Sequence, residues 1–250
     1  MDKPQFTFPR YPSIISTGLA VIAARILGHK RSLHTDAIRL TAKIIPPVIV
    51  EGVENIPTSG GYLIVVNHYV RAGYNTAWNA LALAAVIPEE IAYIMSEAWA
   101  FTGNPSGFLL RPLMRSFLAS INRVYGFLSM PSMVKGLSTP LSRAAAVRRV
   151  IQFVRTHPNA IIGLAPEGQD SPLDGVGLAP AGGGKFMLQL NRMGLPLLPV
   201  TVAENSGQLI VKFGQAFDIT VEADTPPEKV DESVRRAVRD RLFELYRSNG

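Results

Sequence analysis

A chain of 250 residues with 47% hydrophobic and 18% charged side chains is too apolar for a disordered protein and long enough for one large domain, or one with a small appendage, around a sizeable core. It contains no cysteine, which excludes disulfides, thiol nucleophiles and thiolate metal sites. Lysine and arginine (25) outnumber aspartate and glutamate (19), for a net charge of +6; that excess suits an anionic partner such as a phospholipid headgroup, nucleotide or nucleic acid.

The longest apolar stretch, Ile14 to Leu27, is interrupted by Arg25 and falls short of the roughly 20 residues that cross a bilayer. Lys3 and Arg10 precede it as in a signal peptide, but Ala23 and Ala24 run straight into Arg25 and offer no convincing cleavage site. A second apolar segment, Ala37 to Val50, carries Arg39 and Lys43 and is broken by Pro46 and Pro47. Residues 1–47 are therefore expected to form an N-terminal helical hairpin ahead of an α/β domain at 48–250. The amphipathic pattern serves two roles equally: a lid packed on the core, or an interfacial device with its apolar face in the acyl boundary and its basic residues at headgroups.

Beyond Pro47 short β-branched runs alternate with longer helical patterns, the texture of an α/β layer. Expected strands are Val48 to Glu51, Tyr62 to Val66, Ala92 to Met95, Ile161 to Ala165, Leu197 to Val202 and Leu209 to Phe213. Arg143 to Arg155 places Ala144, Val147, Ile151 and Val154 on one helical face. A last helix begins at Thr225 and Pro226, with Val230, Val234, Ala237, Val238, Leu242 and Leu245 at helical spacing. Ser129 to Pro140 is rich in Pro, Ser, Gly and Met and reads as a mobile loop. The fold expected is a mixed, largely parallel central sheet flanked by helices.

Three segments lie at the ends or start of expected strands: Val65-Val66-Asn67-His68, Ala165-Pro166-Glu167-Gly168-Gln169-Asp170-Ser171, and Leu195-Pro196-Leu197-Leu198-Pro199-Val200. Ligands of open α/β sheets collect outside the carboxyl ends of strands, so a histidine after one strand and a Pro-Glu-Gly turn after another would face each other there. Singly, His68 also reads as a helix cap and Glu167 as a brace for its turn.

In combination and order these blocks resemble the lysophospholipid, or glycerolipid, acyltransferase family, from about Val48 to Ile219. The lead-in Val50 to Pro57 with Val65-Val66-Asn67-His68 is similar to the family's first block, and Ser120-Ile121-Asn122-Arg123 to its second. Pro166-Glu167-Gly168 resembles the third, Leu195 to Val200 the fourth, and Lys212-Phe213-Gly214-Gln215-Ala216 a strand and glycine turn near the end. The resemblance implies direct transfer of a fatty-acyl group from acyl-CoA or acyl-carrier protein to a hydroxyl of a lysophospholipid or glycolipid, with no other cofactor and no metal. It implies His68 as general base and a substrate site that includes Arg123, Glu167, Gly168, Gln169 and Pro199. The alternative within the same fold is a non-catalytic lipid- or acyl-thioester-binding protein. A peripheral place at the cytoplasmic face of a membrane is expected.

Two departures from the family pattern qualify this. The family has an aspartate five positions after its histidine, whereas here Gly73 stands there; Asn75 is the nearby substitute for fixing the ring, with Glu97, Asp170 or Asp174 as more distant carboxylates. Gln169-Asp170 replaces the family's Thr-Arg, so an acceptor phosphate would fall to Arg123, or to a rim of Arg71, Arg111, Arg115 and Lys185 if these are more than solvated surface. Other signals fail. Ala181 to Lys185 lacks the first glycine and the Ser/Thr of a phosphate loop, no Gly-x-Ser-x-Gly elbow occurs, and the arginines are dispersed with no nucleic-acid module, so no nucleic-acid partner is expected.

Overall fold

The computed structural model describes residues 8–71, 73–96, 106–131, 139–168 and 176–248. Among them seven strands form one sheet in the order β1-β7-β6-β2-β5-β3-β4: β1 (Ile49–Glu51), β2 (Tyr62–Val66), β3 (Ile91–Ser96), β4 (Leu128–Met130), β5 (Ile161–Leu164), β6 (Leu197–Asn205) and β7 (Gln208–Phe213). Every pairing is parallel except β6 with β7. This is the mixed, largely parallel sheet expected, with β4 as an additional edge strand: Ser129 and Met130, read as the start of a loop, pair with β3 instead. Residues 132–138 of that expected loop lie outside the described residues.

The central strand β2 is buried along its whole length, as a parallel strand covered on both faces must be. Its side chains alternate between two cores. Tyr62, Ile64 and Val66 join Leu198, Val200 and Val202 under α2 (Leu33–Thr41) and α3 (Ala77–Val86), which add Leu40, Trp78 and Leu83. Leu63 and Val65 join Leu197 on the other face. That face is covered by α5 (Pro140–Thr156), α6 (Gly183–Arg192) and α7 (Val230–Arg247) through Val150, Val154, Met187, Val234, Val238 and Leu242. The buried stripe of α5 is Ala146, Val150 and Val154, a rotation from the face expected. Ala144 and Val147 line a cavity described below.

The first two helices pack on the α/β layer: α1 (Ile15–Ile26) against α4 (Ser106–Tyr125), and α2 against α3. Asp36 of α2, with its side chain 3% exposed, fastens the second of these helices. It accepts from Arg31 at 2.5 and 2.9 Å, from Arg39 at 3.2 Å and from the Tyr125 hydroxyl of α4 at 2.8 Å. Burial, the largest influence, pushes the Asp36 pKa up, but the hydrogen bonds of Arg31 and Tyr125 and the arginine charges outweigh it and leave it below the ordinary carboxylate range.

A proline inside a central strand needs explanation, because it cannot donate to the ladder. Val200 pairs with Phe213, yet Leu197 pairs with Phe217, so the segment after β7 carries one residue more than β6 between these contacts. This β-bulge lies opposite Pro199. There the chain donates inward, Gly214 N–H to the Pro199 carbonyl at 2.8 Å, and Pro199 stays buried where the ladder is interrupted.

Candidate active site

The site is built where β2 ends. Asn67, fully buried, locks the strand exit to β6 from both sides of its amide: Val202 N–H donates to its Oδ1 at 2.7 Å and its Nδ2 donates to the Val202 carbonyl at 3.0 Å. The next residue, His68, is half-buried, with Nδ1 out of contact with solvent. Its backbone N–H donates at 2.7 Å to the carboxylate of Glu167. Glu167 is 3% exposed and its second oxygen accepts the Gly177 N–H at 3.0 Å. The Pro-Glu-Gly block is thus a turn after β5, closed by Gly168 N–H to the Ala165 carbonyl at 3.2 Å, with Gly168 left-handed at φ 65°. Its carboxylate ties the beginning of the His68 loop to the segment returning from residues 169–175.

His68, Glu167, Gly168 and Pro199 accordingly lie on three adjacent strands or their exits, β2, β5 and β6. Asn75 stands at the entrance to α3, where its Oδ1 accepts from Ala77 N–H at 3.0 Å and its carbonyl from Trp78 N–H at 3.0 Å. Arg123 is in the last turn of α4, on the approach to β4 rather than at a strand exit, with an exposed side chain and its carbonyl accepting from Lys30. Gln169, Glu97, Asp170 and Asp174 lie outside the described residues, as does the Arg111 side chain. Arg115 and Lys185 are exposed on α4 and α6. Gly73 is left-handed at φ 77°.

Arg71 is not a rim residue but half of a shielded ion pair. Its guanidinium side chain, 19% exposed, grips Glu204 at the end of β6, whose side chain is 2% exposed. Nη2 lies 2.8 Å from Oε1, and Nε donates to Oε2. The same carboxylate accepts from the Tyr69 hydroxyl at 3.1 Å and the Tyr11 hydroxyl at 2.6 Å. Burial, then the Glu204 charge and hydrogen bond, push the Tyr69 phenol up to about 12, and burial followed by the Glu204 hydrogen bond raises Tyr11 further, so both phenols remain donors at neutral pH. Asn79 of α3 completes the enclosure by donating to the Tyr69 carbonyl at 3.2 Å and accepting from the Tyr74 hydroxyl at 2.6 Å. Sequence alone gave no sign of Glu204, because it stands at a strand end before Asn205-Ser206-Gly207, where acidic residues are commonplace.

On the other side of the β5 turn lies an apolar cavity of about 400 Å³. Leu164, Ala165, Pro166 and Gly168 form one wall, Ile94, Met130 and Phe186 are among the others, and among the described residues of its lining Arg143 carries the charge. The turn therefore separates two features: Glu167 reaches from it to the His68 backbone, while its neighbours line the cavity. Among the described residues no three His, Asp or Glu side chains converge as metal ligands.

Residues 47–203 match the Acyltransferase family model, more than half of the chain. The chain belongs to the acyltransferase family. A solved structure similar to this acyltransferase is the 1-acyl-sn-glycerophosphate (LPA) acyltransferase PlsC from Thermotoga maritima, 17% identical, with a TM-score of 0.52 over 85% of this chain and 78% of that one. At that identity the likeness is one of fold. No curated protein matches the acyltransferase. The family resemblance read from the motifs and the enzyme class it implied are both supported by the family match.

Proposed function

We propose that this acyltransferase moves a fatty-acyl group from a coenzyme A or carrier-protein thioester to a hydroxyl of a lysophospholipid or glycolipid, with His68 as general base. The carrying observation is the turn after β5: Glu167 holds the His68 backbone at 2.7 Å while Ala165, Pro166 and Gly168 wall the apolar cavity. An acyl chain lying in that cavity brings its thioester to the turn, next to the residue that activates the acceptor. The cavity's volume, about 400 Å³, is within the range of small-ligand sites.

In this reading the imidazole takes the hydroxyl proton as the oxygen attacks the thioester carbonyl carbon, a contribution of roughly a hundred- to ten-thousand-fold. The C–S bond then breaks, and the departing thiolate receives the proton from the imidazolium. The tetrahedral oxyanion needs donors fixed in advance. Gly168 N–H is engaged by Ala165, so backbone N–H groups of the loop after His68 fill that role. Pro199 flanks the acceptor path by shaping β6 at its bulge, and Gln169, next in sequence to Gly168, is assigned to the same substrate. The exposed Arg123 serves a headgroup arriving from solvent.

The acyltransferase reaches lipid substrates by lying on a bilayer. Ile15, Leu19, Ile22 and Ile26 of α1 are 71, 62, 39 and 79% exposed and recur at helical spacing, whereas Thr17, Val21 and Ala24 face inward. Among the described residues no helix is long and apolar enough to cross a membrane, so α1 would lie in the interface, with Arg25 and Lys30 near its end at anionic headgroups.

The test follows free thiol release from acyl thioesters offered with lysophospholipids and glycolipids. Acceptor-dependent release that disappears in His68→Ala supports the mechanism; release that persists removes His68 from it. Thermal stabilisation by acyl thioester without turnover would identify a binding protein instead. Sedimentation with anionic and neutral vesicles tests the surface role, and Leu19→Glu/Ile26→Glu should lose at least tenfold in partitioning, since each buried side chain is worth ~1.5–3 kcal/mol.

A further inference from the structure

We infer that Glu204 is a positioning residue for His68, holding the catalytic loop from β6 as Glu167 holds it from β5. This rests on the proposal that His68 is the base.

Three independent donors converge on this one carboxylate, and two of them, Tyr69 and Arg71, belong to the loop that begins at His68. Tyr69 is the residue bonded directly to His68, and its backbone carbonyl is also fixed, by Asn79 at 3.2 Å. The backbone is therefore fastened at the His68 N–H by Glu167 and at the Tyr69 carbonyl by Asn79, while Glu204 holds the side chains of Tyr69 and Arg71 that follow. Between two such anchors the Cα–Cβ vector of His68 has little freedom, and the imidazole direction follows from it. A 1 Å error in that direction can cost about a hundredfold in rate.

The family's aspartate position adds the reason such an anchor is needed. Gly73 is left-handed at φ 77°, and a Cβ there would find Arg71 Nη1 at 3.8 Å. The loop thus carries no side chain at that point, and its arginine is turned to Glu204 instead. The third donor, Tyr11, comes from the segment leading into α1, and Phe8 stacks on the Arg71 guanidinium at 3.8 Å. The ion pair is shielded by this packing, where a bidentate arginine–carboxylate contact is both directional and weakly screened.

The experiment compares Glu204→Gln, Arg71→Lys and Tyr69→Phe with the parent in three readouts: melting temperature, kcat and KM for an acyl thioester, and the NMR titration of the His68 Cε1–H resonance, assigned by its loss in His68→Ala. Positioning predicts a kcat reduced tenfold or more in Glu204→Gln with KM unchanged within a factor of two. It also predicts a displaced or broadened His68 resonance while those of His29, His34 and His157 stay in place. Arg71→Lys, which keeps the charge but not the fork, should fall between parent and Glu204→Gln. If Glu204→Gln does not fold, Arg71→Lys and Tyr69→Phe decide the matter by the same readouts. A lowered melting temperature with an unmoved His68 resonance and parental kcat overturns the inference and leaves Glu204 as scaffold. A parent without turnover removes the transferase reading, while the His68 resonance still reports whether Glu204 positions the ring.

Discussion

Replacing Glu167 by glutamine converts one oxygen to an amide nitrogen and changes little in shape. In the parent both oxygens are used, one by His68 N–H at 2.7 Å and one by Gly177 N–H at 3.0 Å. Glutamine can accept from only one of them and must turn its own N–H groups towards the other. One hydrogen bond to a charged group, worth about 1.5–3 kcal/mol, disappears, and a buried donor left unmade costs about 1–3 kcal/mol. Easier burial of a neutral amide offsets part of this, leaving a net loss of about 2–3 kcal/mol. In a chain of this size a loss of that magnitude lowers the melting temperature by roughly 4–12 °C. Glu167→Ala leaves both donors without the carboxylate and should melt lower still. Thermal unfolding followed by circular dichroism measures the first effect. Thiol release, assayed well below the transition so that the chain is folded, should fall at least tenfold in Glu167→Gln because the side chain that ties the His68 backbone to Gly177 has lost one of its two contacts. An unchanged melting temperature, or alanine melting above glutamine, would refute the reasoning that the two backbone contacts hold the turn.

Three further outcomes follow from the same packing. Asn67→Ala removes both hydrogen bonds between its side chain and the Val202 backbone and should cost about 2–4 kcal/mol in urea unfolding; an unshifted midpoint would show that the strand exit needs no clamp. The Asp36 pKa lies below that of an ordinary carboxylate, so the folded chain favours the ionised form, and this stabilisation is complete above the unfolded pKa of about 3.9 and lost as pH falls through the folded value. Asp36→Asn should therefore be less stable than the parent near neutrality by about 2–3 kcal/mol, and the gap should narrow below about pH 4; a constant gap would mean that the charge of Asp36 contributes nothing. Finally, a Cβ added at Gly163 meets Tyr93 Cδ1 at 2.4 Å, in a ring held by Phe127 and by a hydroxyl donating to the Ala80 carbonyl at 3.0 Å. Gly163→Ala should thus destabilise by about 1–3 kcal/mol, and equal stability in calorimetry would show that the ring yields.

What the sequence disclosed and what it concealed divide along the range of the interactions. The strand β2 is legible because five consecutive apolar residues stand between Gly60-Gly61 and Asn67-His68, a local signal of a strand covered on both faces. By contrast β4 is three residues, Leu128-Ser129-Met130, with a polar centre and one neighbour in the sheet, so neither length nor alternation marks it. Helix α6 begins among three glycines, which are poor helix formers. Its first turn is capped from far along the chain, by Asp231 accepting from Gly182 N–H at 3.0 Å and Lys185 N–H at 2.9 Å. The block containing Pro199 was visible as a motif, but its bulge appears only once Leu197 is seen to pair with Phe217 and Val200 with Phe213. The amphipathic stripe of α1 was likewise evident, while the identity of the face that packs on α4 was not.

The candidate site follows the same rule, and this explains its construction. Motif residues mark where the parallel strands end, because strand exits concentrate backbone groups that cannot be paired by the ladder. They do not mark what holds those exits in place. The restraints on the His68 loop come from other segments: Glu167 from the turn after β5, Asn79 from α3, and Glu204 from β6, itself held by Tyr11 from the approach to α1. Two of these four are buried carboxylates receiving donors, an arrangement that costs desolvation unless every donor arrives together. The conformation of the loop therefore depends on the sheet, α3 and the N-terminal segment together, and the direction of the His68 side chain is a property of the completed fold rather than of its own neighbourhood in the chain.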